Sequence, residues 1–494
     1  MTISGIGSRS SLGVQTLVDM RRQLDDLQRQ FATGKKSETY AGLGLDRGLA
    51  VGLRSRLSGL EAFQSSIDHV DVRLNVAQTS LDRLADIGRE VKSAAFQSSL
   101  IDSNGTTIPQ STAYASLNEM LGLLNTQAGD RYIFSGRETE QPAVARFDHI
   151  MDGDGARAGF KQIVSERKLA DLGTLGRGRL DITAPTATSV QVAEETPATV
   201  FGFKLSSINS SLTNSTVTGP AGAPPAMSVD FTGLPNAAET IQFRFTLPDG
   251  TSELITLTAT NSTTPGANEF TIGATAALTA GNLQTALTDS IETLANTSLV
   301  AASAVAAADN FFNGTPQRVS GPPATATALV AGTPANTVSW YTGENGADPA
   351  RSTATARADT SITVSYGMRA NEEGIRWMVQ NVAALAAVTF ASGDPDAVAR
   401  NAALNSRVGT NLAVPAGIQT IEDIETELVG AQYTLQAATD RHKQTKSTLA
   451  SMLEQIEGVS NEETAAAILA LQTRLQASLQ TTSLMYQTSL VNYL

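Results

Sequence analysis

Both ends of this 494-residue chain carry apolar residues that alternate at spacings of three and four, and that pattern restricts the fold more than any other feature. The register Leu60, Phe63, Ile67, Val70, Leu74, Ala77, Leu81, Leu84 runs without a miss, with Leu53 one heptad upstream. Toward the other end, Ile421, Ile424, Leu428, Ala431, Leu435, Ala438, His442, Thr445, Leu449, Met452 and Ile456 keep the same alternation, with His442 and Thr445 its polar members. A narrow apolar seam on one helix is unstable alone, because each leucine contributes roughly 1.5–3 kcal/mol only when water is excluded. The spacing therefore predicts a helix over 46–99, about 80 Å long at 1.5 Å per residue, packed against a helix over 418–457. Its seam is Leu60, Phe63, Ile67, Val70, Leu74, Leu81 and Leu84 against Leu428, Leu435, Leu449, Met452 and Ile456.

Outside these lie two further stripes. Leu17, Met20, Leu24, Leu27 and Phe31 mark a first helix that should stop at Gly34, a residue suited to a left-handed cap. The glycine-rich stretch 41–48 then links it to the long helix. At the other end Gly458 breaks the pattern, and Ser460 to Glu463 reads as a capping box opening a last helix. That helix places Ile468, Leu471, Leu475, Leu479, Tyr486, Leu490 and Tyr493 on one face. Periodicity alone leaves two readings open: these outer stripes complete one compact bundle, or they are exposed assembly surfaces that pair with each other and with neighbouring copies.

Between 142 and 371 the heptads vanish and Thr, Ser, Ala, Gly and Pro dominate. One hairpin is legible, in which Ile241, Phe243, Phe245 and Leu247 alternate with polar residues, Pro248-Asp249-Gly250 turns, and Leu254 to Leu257 returns. Leu283, Leu287, Ile291 and Leu294 suggest a short helix after it. The expected fold class is α+β: a long antiparallel helical coiled coil built from both chain ends, interrupted by a β-rich region. Its parts are an assembly helix and link over 1–45, rod-domain halves over 46–141 and 372–457, a β-rich insert over 142–371, and a terminal assembly helix over 458–494.

A formal charge of −13 argues against nucleic acid or an anionic membrane as partner, since a phosphate backbone is bound by neutralising it. With no cysteine there is neither a disulfide framework nor a thiolate metal site. Residues 1–11 have no apolar core, so no cleaved secretory signal is expected, and no run approaches the roughly 18 consecutive apolar residues of a membrane span.

Phe31-Ala32-Thr33-Gly34-Lys35-Lys36 resembles the Ser-Thr-Gly-Lys-Arg stretch between the first two helices of the flagellin superfamily. Arg131-Tyr132-Ile133-Phe134-Ser135-Gly136, with Thr139 and Pro142, is similar to the motif by which the hook-filament junction proteins of that superfamily leave their helical domain. Tyr366 to Glu372 resembles the re-entry segment of alphaproteobacterial members. The ending Ser489-Leu490-Val491-Asn492-Tyr493-Leu494 looks like the junction-protein C-terminus. One departure is Glu38 to Gly44, where the family often has a Pro-Ser-Asp-Asp-like segment. The resemblance covers about 1–142 and 371–494. It implies a non-enzymatic structural subunit of the bacterial flagellum, exported unfolded through the type III apparatus and located outside the cell. Its implied partners are copies of itself, another hook-associated protein and flagellin, with a cytoplasmic export chaperone at the C-terminal helices. A filament flagellin stays open as the alternative, as does a secreted adhesin or enzyme carried by the insert.

Chemical motifs are sparse. Gly42-x-Gly44-x-x-x-Gly48 lacks phosphate-loop spacing and follows a helix; Asp148, Asp152 and Asp154 lack the downstream glutamate of a calcium loop; His69, His149 and His442 are isolated from one another. No catalytic residue, cofactor or metal is expected, and His442 reads as a polar seam residue that sets register.

Overall fold

The heptad segments are helical because their polar positions are filled by Arg, Gln, Asp and Glu, which keep helical φ/ψ at little cost, and because glycine stops them. The computed structural model describes residues 4–97, 101–102, 105–390 and 393–491, with side chains between 12 and 484. Within these, α1 (Ser4–Thr33) ends at Gly34, whose φ is +67° and whose N–H donates to the Gln30 carbonyl at 2.8 Å. A 3-10 turn over Tyr40–Asp46 leads into α2 (Arg47–Ala95). Further helices are α3 (Ile108–Leu124), α4 (Phe147–Asp152), α5 (Phe160–Leu172), α6 (Ala276–Leu294), α7 (Val300–Phe312), α8 (Glu373–Ala387), α9 (Ala397–Asn411), α10 (Ile421–Glu457) and α11 (Asn461–Val491). Helix and sheet are mixed, as an α+β chain requires.

The chain divides into two compact units. The first comprises Met1–Val70, Ala356–Val364 and Tyr433–Leu494, and so holds α1, α11 and one part each of α2 and α10. In it Leu53, Ile67, Val70, Leu435, Ala438, His442 and Leu449 are buried. Lys446 pairs with Glu61 at 2.9 Å.

The second unit comprises Asp71–Thr355 and Ser365–Gln432. Here Leu74, Ala77, Leu81 and Leu84 of α2 and Ile421, Ile424, Leu428 and Ala431 of α10 are buried. The segment over 131–136 and the one over 366–372 run side by side: Ala370 N–H donates to Phe134 O at 2.8 Å and Gly136 N–H to Met368 O at 3.0 Å. Phe134, Ser135 and Ala370 are fully buried there. The chain thus leaves its helical part and returns to it through a single backbone-paired gate, preceded by the short hairpin of β1 (Gln127–Ala128) and β2 (Arg131–Tyr132).

The segment between these two passages is less purely β than its composition suggests. One antiparallel sheet has the order β3-β4-β7-β6, from β3 (Leu180–Thr183), β4 (Ser189–Glu194), β6 (Ser215–Ala221) and β7 (Ala226–Phe231). The other has the order β10-β9-β8-β5, from β5 (Lys204–Ser210), β8 (Thr240–Thr246), β9 (Ser252–Thr260) and β10 (Glu269–Thr271), with β10 parallel to β9. The β8–β9 hairpin follows the predicted alternation, with Phe243 opposite Ile255. Val192, Met227, Val229, Ile241, Phe243 and Leu257 from the two sheets share one core with Leu283, Leu287 and Ile291 of α6. Instead of ending there, the helix continues through a π-turn over Ala295–Leu299 into α7, whose Ala and Phe residues are buried on nearly every side. A helix that is apolar all round shows no heptad, so sequence periodicity misses it. The span Ala276–Phe312 is apolar enough to cross a membrane by composition, yet 67% of its most apolar window is buried inside the protein, as in a core helix. Arg400 of α9 donates to the Asn296 carbonyl, within the π-turn, at 2.6 Å.

A buried ionic knot ties α5 to the sheets. Asp171 accepts from Arg167 and from Gly202 N–H, both at 2.8 Å. Arg179, at φ +63°, donates to Ala170 O, Pro323 O and Ala326 O and pairs with Glu195 at 2.8 Å. Replacing it strands several buried acceptors at once. Arg179→Ala is expected to lower the stability of this unit by on the order of 3 kcal/mol, read as a lower urea midpoint with an unchanged slope. An unaltered midpoint would show that the knot is energetically idle.

Candidate assembly interface

The terminal helices are positioned by their links. Gly34 and Gly458 each interrupt a helix, and the two breaks hydrogen-bond to one another: Lys36 N–H donates to Glu457 O at 2.7 Å and Val459 N–H to Gly34 O at 3.1 Å. Beside them Arg54 grips the Glu457 carboxylate with two bonds of 2.6 and 3.0 Å while lying over the Tyr40 ring. Glu457 is buried, and its hydrogen bond to Arg54 holds the guanidinium above its ordinary pKa. Ser460 Oγ accepts from Glu463 N–H at 3.3 Å, as the capping motif predicts, and α11 begins there.

From this clasp α1 and α11 run side by side. Leu17, Met20, Leu24 and Leu27 are half-buried, as are Ile468 and Leu475, and Leu471 is buried. Phe31 and Leu479 are about half exposed. Along α11 the covered positions are Thr464, Ile468, Leu471, Leu475, Ser478 and Thr482, so beyond Leu475 the inward stripe runs one residue earlier than the apolar spacing indicates. Tyr486, Leu490 and Tyr493 lie outside the residues whose side chains are described. A second apolar set faces away: Leu12 and Leu469 are each about two-thirds exposed, with Val14, Val18 and Leu484 also open.

On the long helices, Ile67, Val70, Leu74, Leu81, Leu84, Leu428, Leu435 and Leu449 are buried, and Leu60, Phe63 and Ile456 are half-buried. Near the end of α10 the stripe shifts by one: Met452 is exposed and Leu453 is half-buried. His442 is buried, with neither ring nitrogen hydrogen-bonded, stacked at a tilt on Phe63 and 3.6 Å from Asp359.

The three clustered aspartates are engaged in ordinary surface pairing. Asp148 pairs with Arg146, Asp152 with Lys161 and Asp154 with Arg157. Among the described residues no group of three His, Cys, Asp or Glu side chains could hold a metal ion. No family model and no curated protein matches the chain.

One feature of the helical interface lay outside the sequence reading. Glu425 of α10 faces Asp82 of α2, and one Glu425 carboxyl oxygen is buried without a hydrogen bond. Burial first, then Asp82, pushes its pKa up to about 7 from an ordinary 4.5. A raised folded-state pKa contributes stability that is present below 4.5 and lost as pH rises through about 7. Melting temperature should therefore fall between these pH values, and Glu425→Gln should flatten the decline and raise the melting temperature at pH 8. An identical pH profile in that variant would dissociate Glu425 from the effect.

Proposed function

We propose that this chain is a structural subunit of the bacterial flagellum, joining hook to filament by self-assembly through its terminal helices. The carrying observation is the α1–α11 pair, which covers one apolar face and leaves Leu12, Val14, Val18, Leu469 and Leu484 in water. Two helices laid side by side cannot bury both faces of either, and apolar area left open on a terminal element marks a contact surface. We read the long helices α2 and α10 as the two strands of an antiparallel coiled coil made from both chain ends; in support, both bury the stripes that their spacing marks, and the β-containing insert joins its helices at the 134–370 gate. The resemblance of residues 31–36, 131–136, 366–372 and 489–494 to hook-filament junction proteins supports the hook-filament junction as the place of assembly.

On this reading the protein is not an enzyme and acts outside the cell. It reaches that site by type III export without a cleaved signal peptide, with a chaperone covering the C-terminal helices beforehand. Its partners are itself and the neighbouring axial proteins, another hook-associated protein and flagellin.

The test compares the full chain with a version lacking residues 1–31 and 463–494. The truncated protein should keep its circular dichroism per residue and elute as a monomer, yet fail to restore filament attachment in a junction-deficient strain. Collapse or aggregation of the truncated chain would instead make the terminal helices part of the monomer's own core, removing the main support for assembly.

A further inference from the structure

The link between α1 and α2 presents a leucine that no described residue of its own chain covers. Leu45 is fully exposed, and Leu49, one helical turn further, is half exposed. Gly44 precedes it at φ +59°, ψ −122°, a conformation that side-chain-bearing residues avoid, and no atom lies within 4 Å of where a Cβ would stand at Gly44 or Gly48. The backbone therefore bends to hold this side chain clear. Leaving a leucine in water forgoes roughly 1.5–3 kcal/mol that a docking partner would recover.

In the same unit, α2 and α10 border a groove of about 400 Å³ floored by Leu60 and His442. Leu60 is half-buried on that floor, and His442 is buried with Nε2 3.6 Å from Asp359. The rim carries charge in two rows, Glu61 and Asp68 on α2 and Lys443 and Lys446 on α10. One pair, Lys446 and Glu61, spans the rim, but both are more than half exposed, so the bridge is screened and exchanges readily. Leu45 is followed by Asp46 and Arg47, adjacent opposite charges that form no ion pair among the described residues.

We propose that Leu45, backed by Leu49, inserts into the Leu60–His442 groove of a second copy of this chain, with Asp46 against the lysine row and Arg47 against the carboxylate row. Knob and groove are different surfaces, so the contact is head-to-tail and propagates from copy to copy. It rests on the self-assembly reading above and assigns it a surface. Within one chain the contact cannot form: Leu45 and Ser65 on the groove rim are separated by nearly the whole intervening helix, about 27 Å at 1.5 Å per residue.

Because the chain has no cysteine, disulfide trapping is clean. The full-length double variant L45C/S65C, oxidised under assembly conditions, should give a ladder of covalent multimers on a denaturing gel. Each single variant should stop at dimers, and L45C/S451C, with its second thiol elsewhere on α10, should give no ladder. L45D, folded by circular dichroism, should lower the assembled fraction at fixed concentration about tenfold, the equivalent of one lost leucine contact. If the unmodified chain sediments as oligomers but L45C/S65C gives no ladder, or L45D assembles normally, the knob contact is wrong while self-assembly stands. If the unmodified chain never sediments beyond a monomer, both readings fall.

Discussion

The carboxylate of Glu457 is buried at the end of α10, and the fold of the terminal region depends on its being answered by Arg54, a residue 403 positions away. An uncompensated buried carboxylate costs several kcal/mol, so the ion pair operates as a condition on where the two chain ends meet. The backbone of the same residue accepts from Lys36, and the next break returns a bond to Gly34. Charge, carbonyl and helix stop therefore coincide at one place. Without that coincidence α1 and α11 would leave their long helices at unrelated angles, and the apolar stripes of Leu24 and Leu471 would have no reason to face the same way.

The second unit uses the same device at a different place. Its insert is anchored by the knot of Arg167, Asp171 and Arg179 beneath the sheets, and by Arg407 of α9, which pairs with Asp249 and Glu253 at the β8–β9 turn. Asp249 is almost fully buried there, although a Pro-Asp-Gly turn reads as an exposed hairpin tip. Arginine suits these positions because its planar fork serves several acceptors at once and stays charged when buried. Together with the 134–370 backbone gate, these contacts make the insert continuous with the helices of its unit.

The readable parts of this fold are those governed by a repeat. Amphipathic helices bury one stripe, so most positions from Leu53 to Leu84 and from Ile421 to Leu449 announced their burial by spacing alone, as did Phe243 and Phe245 on a strand of period two; Leu60 and Phe63 are half-buried, and Thr445, a polar member of the register, is exposed. Where the geometry drifts, the reading drifts with it: an α-helix turns 3.6 residues per turn against a repeat of 3.5, so near its end α10 turns in Leu453 instead of Met452, whereas the opposite shift in α11, from Leu479 to Ser478, has no such account. The Ala-rich α7 left no heptad, because a helix enclosed on nearly all sides has little polar face to create one. The clasp at Glu457 was invisible for a different reason. Nothing local distinguishes a glutamate that meets an arginine across the chain from one that meets water.

The choice between a closed bundle and an assembling subunit turns on what the terminal helices leave uncovered. In a closed bundle the apolar residues of α1 would be buried to the depth of Leu74 or Leu81 in α2. They are not: Leu17, Met20, Leu24 and Leu27 reach only partial burial against α11, while Leu12, Val14 and Val18 point elsewhere. A half-buried stripe on a two-helix pair is stable only marginally, since neither helix is enclosed and each is held chiefly by the other. The side chains that would stabilise the pair further are present in the sequence but turned outward. On the proposed assembly reading, a second copy that supplies the missing apolar cover would enclose the pair and join the copies in one step, so that the clasp that aims the two helices and the surfaces they expose would serve one mechanism.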